Sequence, residues 1–395
     1  MRITVPSSLT NVVCAQTKIT LIKHNNLAYS GYAIDDLIAQ GISYEAVLYL
    51  LWHQGLPNQQ QLQSLKHELY QGMHLTPSFI NELHQLCHNH PTAHPMALLR
   101  TAVSMFTPGD QTNQFEAQNA WLQGHMLTTV TTIIAFLQQR TPLAAKPELN
   151  VAQNFYYLLT GALPTLEQTQ IMNRVLVLHA DHDLNASTFT SRVVASTESD
   201  TVSCLTAAVC ALKGPLHGGA NEAVFEMLSE LKQAVTDTET TVADFIQLKL
   251  NRKEKIPGFG HRIYKNGDPR ATYLKQSAEK ITKLNHQRVW FELSEQVCQV
   301  VADRLNLKPN VDFYTATIYH CLGLPANVFT LLFAVCRTGG WLAHIHEQRT
   351  VHKLIRPSSE YIGKRNQVIK PTFKPGEFDA KAVIIRNAKN KQQGA

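Results

Sequence analysis

Apolar side chains recur at three- and four-residue spacing along most of this chain, and prolines fall between the blocks that carry the pattern. That spacing buries one stripe of an α-helix, and no β-strand can satisfy it. Residues 35–105 carry it through Leu37-Ile38, Tyr44–Leu51, then Leu62, Leu65, Leu69 and Tyr70, and again through Ile80, Leu83 and Leu86 before His90-Pro91. It returns at 115–145 around Trp121, Met126, Val130, Ile133, Ile134 and Leu137, and at 167–180 through Ile171, Val175, Leu176 and Leu178. Alternating runs joined by hairpin dipeptides are nearly absent. Val311–Tyr314 could pass as a short strand but leads into a helical pattern. The expectation is an all-α protein.

The 395 residues, 44% of them hydrophobic, suffice for two domains or for one large domain with a smaller lobe. A charged zone at Asp237–Lys255, a Pro/Gly loop at Pro257–Gly260 and a charged helical zone at Tyr273–His286 mark 220–324 as a more exposed lobe. Gly218-Gly219 and Gly323–Pro325 are candidate hinges at its edges, or ordinary turns. The expected division is a large domain of 1–219 plus 325–395 and a small domain of 220–324.

Seven dispersed cysteines without a CxxC pair argue against a disulfide framework and a structural zinc site; each reads as a small buried hydrophobe. The first residues, Met-Arg-Ile-Thr-Val-Pro, make a poor signal peptide, and the apolar stretch at Val328–Val335 is too short to cross a bilayer. A soluble, cytoplasmic protein is expected, with no membrane partner. The formal charge of +6 comes from scattered basic residues, which suits anionic small substrates better than nucleic acid.

Four segments carry chemistry. In Lys213-Gly214-Pro215-Leu216-His217-Gly218-Gly219-Ala220-Asn221-Glu222, a histidine between Pro and two glycines must sit on a turn. A helix resuming at Glu222 would point its positive end back at His217 and favour a neutral, hydrogen-bond-donating imidazole. In Pro257-Gly258-Phe259-Gly260-His261-Arg262, running to Asp268-Pro269-Arg270, no strand or dinucleotide fingerprint accompanies the glycines. A turn displaying His261 remains, with Arg270 near enough to grip a carboxylate.

In Leu178-His179-Ala180-Asp181-His182-Asp183, the two histidines fall three apart on one helical face, a spacing open to a metal, to a polar ligand or to helix-end hydrogen bonding. No glutamate base of the HExxH kind and no third ligand accompany them. The fourth segment runs from Asn310-Val311-Asp312-Phe313-Tyr314 through Cys336-Arg337-Thr338-Gly339-Gly340-Trp341 to Ile355-Arg356-Pro357. Taken alone, Asp312 reads as a helix cap. It could also be a desolvated carboxylate base.

Together, and in this order, these segments resemble the citrate synthase family, with similarity from about Tyr29-Ser30-Gly31-Tyr32 to Tyr361-Ile362-Gly363. The resemblance implies an all-α citrate-synthase-like fold with a large helical domain, a smaller mobile helical domain and an intimate homodimer of the short type. The implied reaction condenses acetyl-CoA with oxaloacetate and hydrolyses the thioester to citrate and CoA, as in the tricarboxylic acid cycle. No metal and no cofactor are implied, acetyl-CoA being a substrate. By analogy Asp312 removes a methyl proton, His217 donates to the thioester oxygen, and His261 donates to the oxaloacetate ketone and protonates the alkoxide. His182, Arg270, Arg337 and Arg356 match the oxaloacetate ligands, Arg356 acting across the dimer. Pro257, Gly258, Phe259 and Gly260 match the loop that meets the CoA adenine.

The chain departs from the family pattern at three places. Ser30 replaces a common arginine, His352 a usual asparagine, and Arg-Pro-Ser-Ser at 356–359 the common Arg-Pro-Arg. The last resembles the 2-methylcitrate synthases, which use propionyl-CoA. Lys213–Leu216 and Val311–Tyr314 look more like citrate synthase, and one methylene gives little discrimination in an apolar pocket. Propionyl-CoA use, or a catalytically silent relative, are the alternatives.

Overall fold

The computed structural model describes residues 9, 12–23, 25–108, 115–238 and 240–366, and divides the chain into a unit of Met1–Ile355 and a second of Arg356–Ala395. The first unit is helical, as its apolar spacing requires. Its helices are α1 (Ile34–Ala39), α2 (Tyr44–His53), α3 (Gln59–Gly72), α4 (Pro77–Asn89), α5 (Pro95–Ser104), α6 (Phe115–Leu137), α7 (Val151–Thr160) and α8 (Leu166–His179). They continue as α9 (Ala186–Ala195), α10 (Thr201–Leu212), α11 (Ala220–Thr238), α12 (Val242–Asn251), α13 (Pro269–Leu284), α14 (Arg288–Leu305), α15 (Val311–Cys321) and α16 (Phe329–Val351).

Local chemistry places the helix starts. Capping boxes form at Asn58/Gln61, Asn150/Gln153 and Thr165/Gln168. Each satisfies two amides that the helix itself cannot pair. Pro77, Pro95 and Pro269 open α4, α5 and α13, where a missing N–H costs nothing. Asn310 caps α15 by accepting from the Asp312 amide at 3.0 Å, so Asp312 lies inside the first turn and is not itself the cap.

A three-stranded antiparallel meander was not expected from the sequence. It runs β1 (Thr20–Lys23), β2 (Asn26–Tyr29) and β3 (Tyr32–Ala33). Its strands are too short to show alternation, and Ser30 and Gly31 close the second hairpin at φ 46° and 89°. Positive φ at both turn residues matches the right-handed twist of the strands. Ser30 thus occupies a left-handed turn position, and His352, at φ 50°, ends α16 in the same conformation.

The core centres on α16, which packs on α2, α6, α8, α9 and α10. Helices α6 and α16 are long and apolar enough to span a bilayer by length and composition. Yet 83% and 100% of their apolar windows are buried in the fold, so that apolarity belongs to the core. Glycines let main chains meet. A Cβ at Gly72 would lie 2.5 Å from the Trp121 carbonyl oxygen, and one at Gly124 2.3 Å from that of Leu69, so α3 and α6 cross in contact. A Cβ at Gly340 would lie 2.4 Å from both the Ala180 carbonyl oxygen and Asp181 Oδ1. This brings α16 against the segment after α8. Of the seven free cysteines, Cys87, Cys204, Cys321 and Cys336 are buried as expected, Cys298 is half-buried, and Cys14 and Cys210 are exposed.

Candidate active site

The site gathers where α8 ends, α11, α13 and α15 begin, and α16 passes. α8 stops at His179, so His179 and His182 do not share a helical face. Their side chains diverge. His182 Nε2 lies 3.0 Å from Tyr264 Oη, while His179 Nδ1 lies 2.8 Å from the Val175 carbonyl oxygen. Among the described residues no group of three or more metal-ligating side chains forms.

His217 sits on the turn before α11, which begins at Ala220, two residues earlier than the sequence suggested. A Cβ at Gly218 would lie 2.3 Å from the Leu212 carbonyl oxygen, so only glycine lets the turn fold back on α10. The Ser187 amide donates to His217 Nε2 at 3.3 Å, and Ser187 Oγ lies 2.8 Å from the same nitrogen. A main-chain amide only donates, so the amide contact makes Nε2 the acceptor and leaves the proton on Nδ1, with the single Ser187 hydroxyl hydrogen shared between Nε2 and Asn185 Oδ1, 2.7 Å away. Trp341 Nε1 donates to Ser187 Oγ at 3.1 Å and tethers this support to α16.

His261 takes the opposite tautomer. The amides of Ile263 and Tyr264 both donate to its Nδ1, at 3.1 and 3.3 Å, leaving the proton on Nε2. Its ring centre lies 5.1 Å from that of His182. Burial, then Arg337, pushes His217 down to about 4; burial, then Arg270, does the same to His261. Burial, then Arg270, holds His182 well below the usual histidine range. All three are therefore neutral hydrogen-bonding groups near pH 7.

Arg270 is gripped by Asp268 through two parallel bonds, Nε–Oδ1 at 2.9 Å and Nη2–Oδ2 at 2.7 Å. Asp268 caps α13 and also accepts from the Val311 amide at 3.1 Å, which joins the starts of α13 and α15. Arg337 donates from Nε to the His179 carbonyl oxygen at 2.7 Å and lies 4.7 Å over the Phe333 ring. Among the described residues it forms no ion pair, although it is 2% exposed. A buried guanidinium so placed is a ready receptor for a carboxylate. The Phe333 ring centre is 6.4 Å from that of His217 and so joins Arg337 to the first catalytic candidate.

Asp312 lies on the first turn of α15, partly buried. Burial raises its carboxyl to about 7, against the pull of Arg270 and Arg337 and with the push of Asp268. A carboxylate near the operating pH suits proton abstraction. The loop Pro257–Gly260 is pinned beside it. Gly258 O accepts from the Asn310 amide, Gly260 N donates to the Lys308 carbonyl, and Asn310 Nδ2 donates to Gly260 O. Gly258, at φ 83°, also leaves no room for a Cβ between Phe313 and Val224.

Of the expected site residues, His182, His217, His261, Arg270, Asp312 and Arg337 thus converge. Arg356 opens the second unit and is exposed in the single chain. The sequence had given no supporting role to Ser187, Tyr264 or Phe333, nor to Trp341, which stood in the fourth segment without one. Their types carry no signal, since their work depends on which helix passes beside them. A second buried network braces the site from below. Asp181 Oδ2 accepts from Thr20 Oγ1, from the Asp183 amide at 3.1 Å and from His344 Nε2 at 3.2 Å. His344 Nδ1 in turn accepts from Arg192 Nη1 at 3.1 Å, and Arg192 pairs with Glu347 at 2.6 Å.

The family described as "Citrate synthase, C-terminal domain" matches residues 8–358. Citrate synthase 2 of Bacillus subtilis is 41% identical over 93% of this chain and 98% of its own length. The 2-methylcitrate synthase 1 of Corynebacterium glutamicum is 36% identical over 93% of this chain and 97% of its own. The citrate synthase of Thermoplasma acidophilum, solved as a ternary complex with carboxymethyl coenzyme A and oxaloacetate, superposes with a TM-score of 0.83 at 30% identity. That superposition covers 92% of this chain and 98% of the other. With the helical architecture and the converging histidines, arginines and aspartate, these similarities establish that the chain belongs to the citrate synthase family.

Proposed function

We propose that this enzyme condenses acetyl-CoA with oxaloacetate and hydrolyses the resulting thioester to citrate and CoA, with His217, His261 and Asp312 catalytic. The observation that carries this reading is one buried site holding two neutral histidines of opposite tautomer beside a carboxylate raised to about 7. Asp312 takes a proton from the acetyl methyl. The electron pair moves onto the thioester oxygen, which accepts a hydrogen bond from His217 Nδ1–H. The enol carbon then attacks the ketone of oxaloacetate, and the alkoxide takes the Nε2 proton of His261. Water finally cleaves the thioester, leaving a carboxylate and CoA thiol. Donors fixed before reaction stabilise charge as it develops without reorganising.

Oxaloacetate is a dianion, and His182, Arg270 and Arg337 are its proposed ligands, completed by Arg356 of a second subunit in a homodimer. The loop Pro257–Gly260 is the proposed adenine contact. The segment 220–324 acts as a small domain that closes over both substrates and excludes water. The reaction requires no metal or cofactor, and the proposed location is the cytoplasm. Release of CoA, followed with a thiol reagent, tests the reading. Release must depend on oxaloacetate, and its absence with acetyl-CoA and propionyl-CoA alike refutes the proposal.

A second reading rests on the similarity to 2-methylcitrate synthases and on Arg-Pro-Ser-Ser at 356–359. A higher kcat/KM for propionyl-CoA than for acetyl-CoA would establish it, since one methylene is worth only about 1–3 kcal/mol in an apolar pocket.

A further inference from the structure

The geometry points to His179 as a positioning residue that fixes the helix bearing Asp312 relative to Arg337. This inference rests on the condensation reading above. His179 is fully buried at the end of α8 and has no part in the steps just described. Its Nδ1 faces the Val175 carbonyl at 2.8 Å, and a carbonyl only accepts, so Nδ1 carries the proton and Nε2 a lone pair. That lone pair faces Thr315 Oγ1 at 3.4 Å. The Thr315 hydroxyl also donates to the Val311 carbonyl at 2.7 Å. Nε2 therefore meets α15 through Thr315 Oγ1, whose one hydrogen it shares with the Val311 carbonyl, so the contact depends on the exact placement of α15.

Three catalytic elements meet around this ring. Thr315 lies three residues after Asp312, on the adjoining turn of α15. Phe333 packs edge-on against His179 at 5.4 Å while the face of Phe333 carries Arg337. The main-chain carbonyl of His179 itself holds Arg337 Nε. Side chain and carbonyl of one residue therefore face the base helix and the proposed carboxylate receptor respectively. Arg270 and Asp268 of α13 and Arg337 of α16 are the charged groups that act on Asp312. A shift of α15 against His179 changes its distance to each of them.

The variant His179→Asn keeps a donor for Val175 O and the main-chain carbonyl for Arg337, but removes the ring between Thr315 and Phe333. Its kcat is expected to fall about tenfold or more, because small displacements of a reacting group are costly. Its oxaloacetate affinity by calorimetry is expected to stay within about threefold, and the acid limb of its kcat–pH profile to move away from the wild-type position. Thr315→Val alters the other side of the contact without touching α8 and is expected to move the same limb by less. If either folded variant keeps the wild-type limb and kcat, the proposal is overturned. A loss of turnover and oxaloacetate binding in proportion to lost folded protein also overturns it, by making the role structural. A wild-type enzyme that releases no CoA with oxaloacetate overturns the underlying reading, and this inference with it.

Discussion

Replacing Asp312 with asparagine is expected to make the protein more stable while removing its activity. The carboxyl stands at about 7 in the fold against 3.8 for a free aspartate. A tenfold change in proton affinity is about 1.4 kcal/mol, so ionising Asp312 inside the fold costs roughly 4 kcal/mol more than in the unfolded chain. The amide must also be desolvated, which leaves an expected gain of ~2–4 kcal/mol for Asp312→Asn. The sign follows from the raised value. Below pH 3.8 the carboxyl is protonated in both states and costs nothing. Between that pH and about 7 the unfolded chain releases its proton while the folded protein retains it, so wild-type stability declines. Above about 7 both are ionised and the deficit is constant.

Urea unfolding of wild type and variant, at matched protein concentration, should therefore show near-equal stability at about pH 4 and the full gain at about pH 8. CoA release should fall by about 10²–10⁴-fold in the variant, the usual contribution of a positioned base. In the wild type, turnover should drop about tenfold per pH unit below the Asp312 value. A variant that is no more stable at pH 8 than at pH 4, relative to wild type, would refute the burial argument. One that keeps its turnover would refute the role of Asp312 as base.

His261→Ala should lower kcat by about 10²–10³-fold with unchanged helix content, because the ring's hydrogen bonds to Ile263 and Tyr264 hold its own turn and no helix; circular dichroism and CoA release check both halves. Gly340→Ala places a methyl 2.4 Å from the Ala180 oxygen and Asp181 Oδ1, and should cost about 1–3 kcal/mol in urea unfolding. His344→Leu removes the donor to Asp181 and the acceptor for Arg192 in a fully buried network, and should cost about 2–3 kcal/mol at pH 7 by the same measurement. An unchanged midpoint in either case would show that the site tolerates rearrangement there.

The sequence by itself determined the helical class, because helical spacing of apolar residues and proline punctuation are local signals. It also marked which side chains to examine: a histidine between Pro215, Leu216 and two glycines cannot be mid-helix, and Asp268-Pro269-Arg270 is a helix start with an arginine beside its cap. The resemblance supplied their roles. Only the tertiary structure decided what those groups are chemically. The tautomer of His217 follows from the Ser187 amide, thirty residues away, and the paired state of Arg270 from Asp268. Asp312 looked like a cap and became a raised carboxylate because Asn310 took the capping bond and the fold withdrew its side chain from water. The β-meander was illegible because four-residue strands show too little alternation. Protonation and tautomer depend on burial and on where the backbone turns, as when the Ile263 and Tyr264 amides fold back on His261 and the Ser187 amide reaches His217. No pattern of residue types encodes them, so the fold had to bring those groups together before the chemistry could be read.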